Sequence, residues 1–279
     1  MRILLAAGLM AVAATAISAP ARAASPFDGT WIWDASATEL PAKPDVYQLG
    51  GGRFRCVSCP HPYEVAADGK AHPVAGQGSF DAAGVILDSA ERVRLMTTKN
   101  GKPALQITYA LAPGGNELSS EIADLSSGTA VTSRIISTRV AKGAADEHAL
   151  SGSWRQTRIE AASESATTVR LKVTEISVAF SDPSGFSYDA RFDGKDYPVS
   201  GVPAGRTASV RRISDRSFEE TQKQDGKVAS IITLTVAPDG KTATYVFQDL
   251  VEGVTTKGTL NKQPDPKDNA MKAKEDPTL

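Results

Sequence analysis

Residues about 125 positions apart in this 279-residue chain match in one register over most of its length. Tyr63, Asp68-Gly69-Lys70, Pro73-Val74 and Gly76 correspond to Tyr188, Asp193-Gly194-Lys195, Pro198-Val199 and Gly201. Gly101-Lys102, Ile107-Thr108, Ala112-Pro113 and Asp124-Leu125 correspond to Gly226-Lys227, Ile232-Thr233, Ala237-Pro238 and Asp249-Leu250. Gly29-Thr30-Trp31 aligns with Gly152-Ser153-Trp154 at a slightly shorter offset, which implies a small indel. A period this long is a duplicated domain, since solenoid repeats run to about 20–50 residues. The boundaries drawn from it are repeat 1 at 24–141, a short polar linker at 142–149 and repeat 2 at 150–262. The remainder, 263–279, is rich in charge and proline, lacks apolar residues to pack, and reads as a disordered tail.

The matched positions are mostly turn chemistry. Asp68-Gly69, Asn100-Gly101, Asp193-Gly194, Asp225-Gly226 and Asp239-Gly240 supply the positive φ that two-residue hairpin tips require. Between them lie runs with a period of two: Val169, Leu171 and Val173 on one face, then Ile232, Leu234 and Val236. The fold class expected is therefore all-β. Two tandem antiparallel meanders of eight or nine strands each would close into up-and-down barrels, with β-sandwiches as the alternative.

The amino terminus reads as a secretory signal peptide, 1–23. Arg2 gives a small positive region, Ile3 to Ala19 is apolar or small, and Ala21-Arg22-Ala23 is an A-x-A cleavage site. The apolar run is shorter than the ~20 residues of a membrane span and no second one follows, so the mature chain is expected to be soluble and periplasmic or secreted. Cleavage removes Arg2 and Arg22 from 31 basic residues set against 32 acidic ones. That near-neutral balance leaves no electrostatic footprint for nucleic acid.

The strings Tyr188-Asp189-Ala190-Arg191-Phe192-Asp193-Gly194-Lys195, Gln224-Asp225-Gly226-Lys227-Val228, Leu40-Pro41-Ala42-Lys43-Pro44 and Cys56-Val57-Ser58-Cys59 are similar to those of a group of exported bacterial β-proteins with a duplicated lipocalin-like (calycin-type) domain. The resemblance covers essentially all of the chain after the leader. It implies barrels and implies no activity, since fold alone assigns none.

Few residues carry chemistry. Cys56 and Cys59, the only cysteines, would be oxidised to a disulfide in an exporting compartment. A redox-active pair or a metal site with His61 and His72 are the rival readings, and Pro60 before His61 breaks the haem-attachment pattern. Trp31 and Trp154 are the candidate ligand-lining residues, with core filling as the simpler reading; Trp33 has no counterpart and reads as surface. Arg211-Arg212 and Glu219-Glu220 read as cross-strand pairs on a solvated face. Neighbouring carboxylates on a strand point to opposite faces and cannot act together. The chain has no nucleophile elbow, phosphate loop, zincin helix or dinucleotide fingerprint, so no catalytic residue, metal or cofactor is assigned. The leading expectation is a non-enzymatic periplasmic protein that holds a small apolar ligand in a barrel. An envelope structural or interaction module without ligand is the alternative, and a CxxC-dependent redox or metal protein is the third.

Overall fold

The computed structural model describes residues 25–126, 129–202 and 204–264; the proposed leader at 1–23 and all but the start of the proposed tail lie outside them. The protein is all-β, with two antiparallel ten-stranded sheets, each curled into a nearly closed barrel. Ten strands exceed the eight or nine expected per repeat, because each sheet also contains a two-residue strand that only hydrogen bonding reveals.

The sheets do not coincide with the sequence repeats. β1 (Gly29–Glu39) stands apart from the run that follows it. That run is β2 (Asp45–Gly50), β3 (Arg53–Cys56), β4 (Tyr63–Ala66), β5 (His72–Pro73), β6 (Ala82–Leu87), β7 (Arg92–Lys99), β8 (Lys102–Leu111), β9 (Glu117–Asp124), β10 (Val131–Lys142) and β11 (Gly152–Ala162). Together β2 to β11 make the first barrel, in the order β4-β3-β2-β11-β10-β9-β8-β7-β6-β5. A four-residue helix, α1 (Glu164–Thr167), leads into β12 (Thr168–Val173), β13 (Ser177–Ser181), β14 (Ser187–Arg191), β15 (Tyr197–Pro198) and β16 (Arg206–Ser214). β17 (Ser217–Gln224), β18 (Lys227–Val236), β19 (Thr242–Asp249) and β20 (Val254–Lys262) follow. The second barrel runs β14-β13-β12-β1-β20-β19-β18-β17-β16-β15.

The opening strand of each repeat has thus changed places. β1 lies between β12 and β20, with Trp31 opposite Val169 and Lys262. β11 lies between β2 and β10, with Trp154 opposite Asp45 and Arg139. The first barrel is one continuous stretch, and the second is assembled from the two ends of the chain. The reason is local. β10 and β11 are long neighbours in sequence and pair as a hairpin, as sequential strands usually do. The segment read as a linker is the tip of that hairpin and is tied down: His148 N donates to Leu49 O at 2.8 Å, and Gly143 N to Ser151 O at 3.1 Å. The chain crosses between barrels elsewhere, at the proline-bracketed segment 40–44 and at α1.

Strand pairing follows the apolar alternation. Leu171 and Val173 are buried while Arg170 and Lys172 on the same strand are exposed. Each fully buried aliphatic of this kind stabilises by about 1.5–3 kcal/mol. Asn100-Gly101 and Asp225-Gly226 are two-residue tips with both residues at positive φ, which matches the turns β7–β8 and β17–β18. At the other three pairs only the glycine has positive φ. Gly69 and Gly194 sit in the β4–β5 and β14–β15 connections, and Gly240 closes a longer loop in which its N–H reaches Ala237 O.

Candidate functional site

Trp31 and Trp154 occupy equivalent places on the exchanged strands β1 and β11 and are fully enclosed. Trp31 Nε1 donates to Phe27 O at 2.7 Å, and Trp154 Nε1 to Leu150 O at 2.8 Å. A cation from the neighbouring strand of the same sheet, β10 or β20, covers each ring. The Arg139 guanidinium lies 3.9 Å from the Trp154 ring centre, and the Lys262 ammonium lies 5.2 Å from that of Trp31. Arg139 also donates to the carbonyls of Gly115, Ala149 and Ser151, and Lys262 donates to Pro26 O. Charge, ring and carbonyl are held together here, an arrangement in which cation–π attraction adds to hydrogen bonding. Trp33, read as surface, points the same way as Trp31. Its half-buried ring packs edge-on against Tyr245 at 6.5 Å.

Around the two tryptophans the interiors are occupied by the protein's own side chains. In the first barrel Leu49, Phe54, Val65, Val85, Val93 and Leu118 are all essentially buried. Tyr47, Tyr63, Phe80 and Tyr109 add a chain of ring contacts, with Tyr47 and Tyr109 centred 5.2 Å apart. Phe27, Val178, Val210, Phe218, Leu234 and Val236 fill the second.

Cys56 and Cys59 form a disulfide with Cα atoms 5.5 Å apart, as expected from their spacing. It closes the end of β3, with Cys56 in the first-barrel core. The two nearby histidines do not converge on it. His72 Nε2 pairs with Asp68 at 2.8 Å, and His61 packs against Gly76. Among the described residues no group of three or more His, Cys, Asp or Glu is arranged to hold a metal ion.

Two carboxylates at unrelated positions are drawn away from water. In the second barrel Glu220 is buried, accepting from Tyr188 Oη at 2.7 Å and from Gln222 Nε2 at 2.7 Å. Burial pushes its carboxyl above the usual range, against the pull of those two donors and of Arg206. The reading of cross-strand pairs on a solvated face holds for Arg211 and Glu219, which pair at 3.1 Å, and is corrected for Glu220, which faces inward. Alternation from buried Phe218 would have placed Glu220 inside; its charge hid that. Arg212 turns back to Thr174 O and lies over the Phe192 ring. In the first barrel Asp45 accepts from Gln156 at 3.1 Å, and burial raises its carboxyl as well. Burial likewise pushes the Tyr63 hydroxyl up to about 12.

Open space lies on the outside. A groove of about 530 Å³ runs over β8 to β11, floored by Thr108, Ala123 and Ala161 and flanked by Glu121 and Arg134. Cross-strand register places Thr108, Glu121 and Arg134 together on the face away from Leu118 and Tyr109. Arg134 is held between Glu121 at 2.5 Å and Glu160 at 3.5 Å. A second hollow of about 420 Å³ adjoins it where β1 passes β11, between Ile32, Asp34, Glu160 and Ala162. Neither hollow is lined by a residue singled out in the sequence for ligand binding; no short motif marks a surface that only the twist of four strands creates.

No family model and no curated protein matches the chain. Among solved structures it is similar to the transferrin-binding protein B double mutant from Haemophilus parasuis Hp5, at 8% identity over 85% of this chain and 77% of that one. The TM-score is 0.16, and nothing below rests on that likeness.

Proposed function

We propose that the protein is a non-enzymatic, exported module of two lipocalin-like barrels that works by surface recognition, with the groove over β8 to β11 as its contact site. The observation that carries this reading is the filling of both interiors. Trp31 and Trp154 are enclosed within packed cores, so an apolar ligand would have to displace core side chains to enter. The described space large enough for a partner's side chains is external. The Cys56–Cys59 disulfide fits an oxidising compartment and supports export to the periplasm or beyond. The envelope-interaction alternative is therefore preferred to the apolar-ligand one.

Two measurements test it. A fluorescent fatty acid titrated into the mature protein should show no saturable binding, and the mature protein should be retained saturably by isolated envelope fractions. Ala123→Tyr with Ala161→Tyr, which fills the groove without touching either core, should lower that retention about tenfold, the value of ~1.4 kcal/mol. Stoichiometric uptake of the fatty acid, or retention unchanged by the double substitution, would overturn the assignment.

A further inference from the structure

Each barrel is closed at a seam without a regular ladder, because its edge strands are the short elements β4 and β5 or β14 and β15. In the first barrel the seam is held by backbone and apolar contacts. Gly69 N donates to Val85 O at 2.9 Å, and an added Cβ on Gly84 would press on Lys70 O at 2.9 Å. In the second, Ser187 and Ser200 exchange backbone bonds at 3.2 and 2.8 Å. Gly201, at φ +76°, approaches Gly185 so closely that a Cβ there would lie 2.1 Å from its carbonyl oxygen.

One side-chain bond also spans that seam. Tyr188 is on edge strand β14, whereas Glu220 is on β17, beyond β15 and β16 on the far side of the opening. We propose that the Tyr188–Glu220 pair is a latch across the seam of the second barrel, and that the seam opens more readily when the carboxyl is ionised, because opening returns a buried charge to water.

Each packed element supports this. On β16, Val210 stands opposite Glu220, and Arg206 is the one cation acting on it. On β18 the opposite residue is Ile232. From β13, Phe180 stacks on Tyr188 with ring centres 5.4 Å apart. The carboxylate therefore has two neutral donors, one partly buried arginine and otherwise apolar walls. A single charge in such surroundings loses hydration that two hydrogen bonds only partly replace. At the matched position the first repeat carries Leu95, so a side chain without charge fills the same place in the same fold. The carboxyl at this position is an addition to the second barrel alone.

The sign follows from the raised carboxyl. Its stabilising contribution is fully present below the unfolded value near 4.5 and is lost as pH rises through the folded value. The seam should be tighter in mild acid than at neutral pH.

Hydrogen exchange of the full mature chain, corrected for intrinsic rates, reads this directly. Amides of β14 and β15 should be at least about threefold better protected near pH 5 than near pH 7.5 in the wild type. In Glu220→Gln the difference should vanish, with protection at neutral pH raised to the acid level. Glu220→Leu, copying the first barrel, should be equally insensitive to pH. Tyr188→Phe, which takes a donor from the buried carboxylate, should weaken the seam at both values and more at neutral pH than in acid. A pH dependence in Glu220→Gln equal to that of the wild type would overturn the latch. So would failure of both Glu220 variants to fold, since the carboxyl would then be required by the fold instead of regulating its seam.

Discussion

Because the opening strands are exchanged, removing Trp31 should damage the barrel made from the second repeat, and removing Trp154 the barrel made from the first. Each side chain is fully enclosed, so truncation to alanine costs about 3–5 kcal/mol in lost burial and cavity formation. It also strips the donor from Phe27 O or Leu150 O, a buried acceptor whose desolvation is worth about 1–3 kcal/mol, in part already counted in the first figure. A loss of about 4 kcal/mol is a large share of the roughly 5–15 kcal/mol that stabilises a domain, and raises the opening constant about a thousandfold. Peptide-resolved hydrogen exchange distinguishes the two barrels. In Trp31→Ala the amides of β12 to β20 should lose protection while β2 to β10 keep theirs, and in Trp154→Ala the pattern should reverse. If Trp31→Ala instead exposes β2 to β10, the strands are not exchanged in solution and the topology described above is wrong.

Two further outcomes follow from the same architecture. A fragment comprising 45–162 should fold alone with cooperative thermal unfolding, whereas 24–141, the repeat as drawn from sequence, should not, because it lacks β11 and carries β1 without its partners; equal folding of both would contradict the sheet order. Replacing Cys56 and Cys59 together by serine opens a four-residue loop and should cost about 2 kcal/mol on the loop-entropy account, read as a lower unfolding midpoint with exchange confined to the first barrel.

Much of the fold was legible because its signals are local. Asn100-Gly101 and Asp225-Gly226 announce tips whatever surrounds them, since few residues other than glycine and asparagine hold that backbone without strain. Alternation such as Val169, Leu171 and Val173 fixes the face a strand buries. Glu220 and Trp33 were misplaced although both fall on the inward phase of their strands: the charge of the one and the missing counterpart of the other were weighed above phase. The groove over β8 to β11 carries no local signal at all.

What the linear chain determined by itself was the duplication, from residues matched in one register, the antiparallel meander, from turn chemistry and periodicity, and the cysteine pairing, from the close spacing of the two cysteines. Which barrel receives which strand was decided only in three dimensions. Equivalent edges in two copies of one domain offer β1 and β11 the same hydrogen-bonding partners. The choice then falls to connection length and to the hairpin that β10 and β11 make as neighbours in sequence.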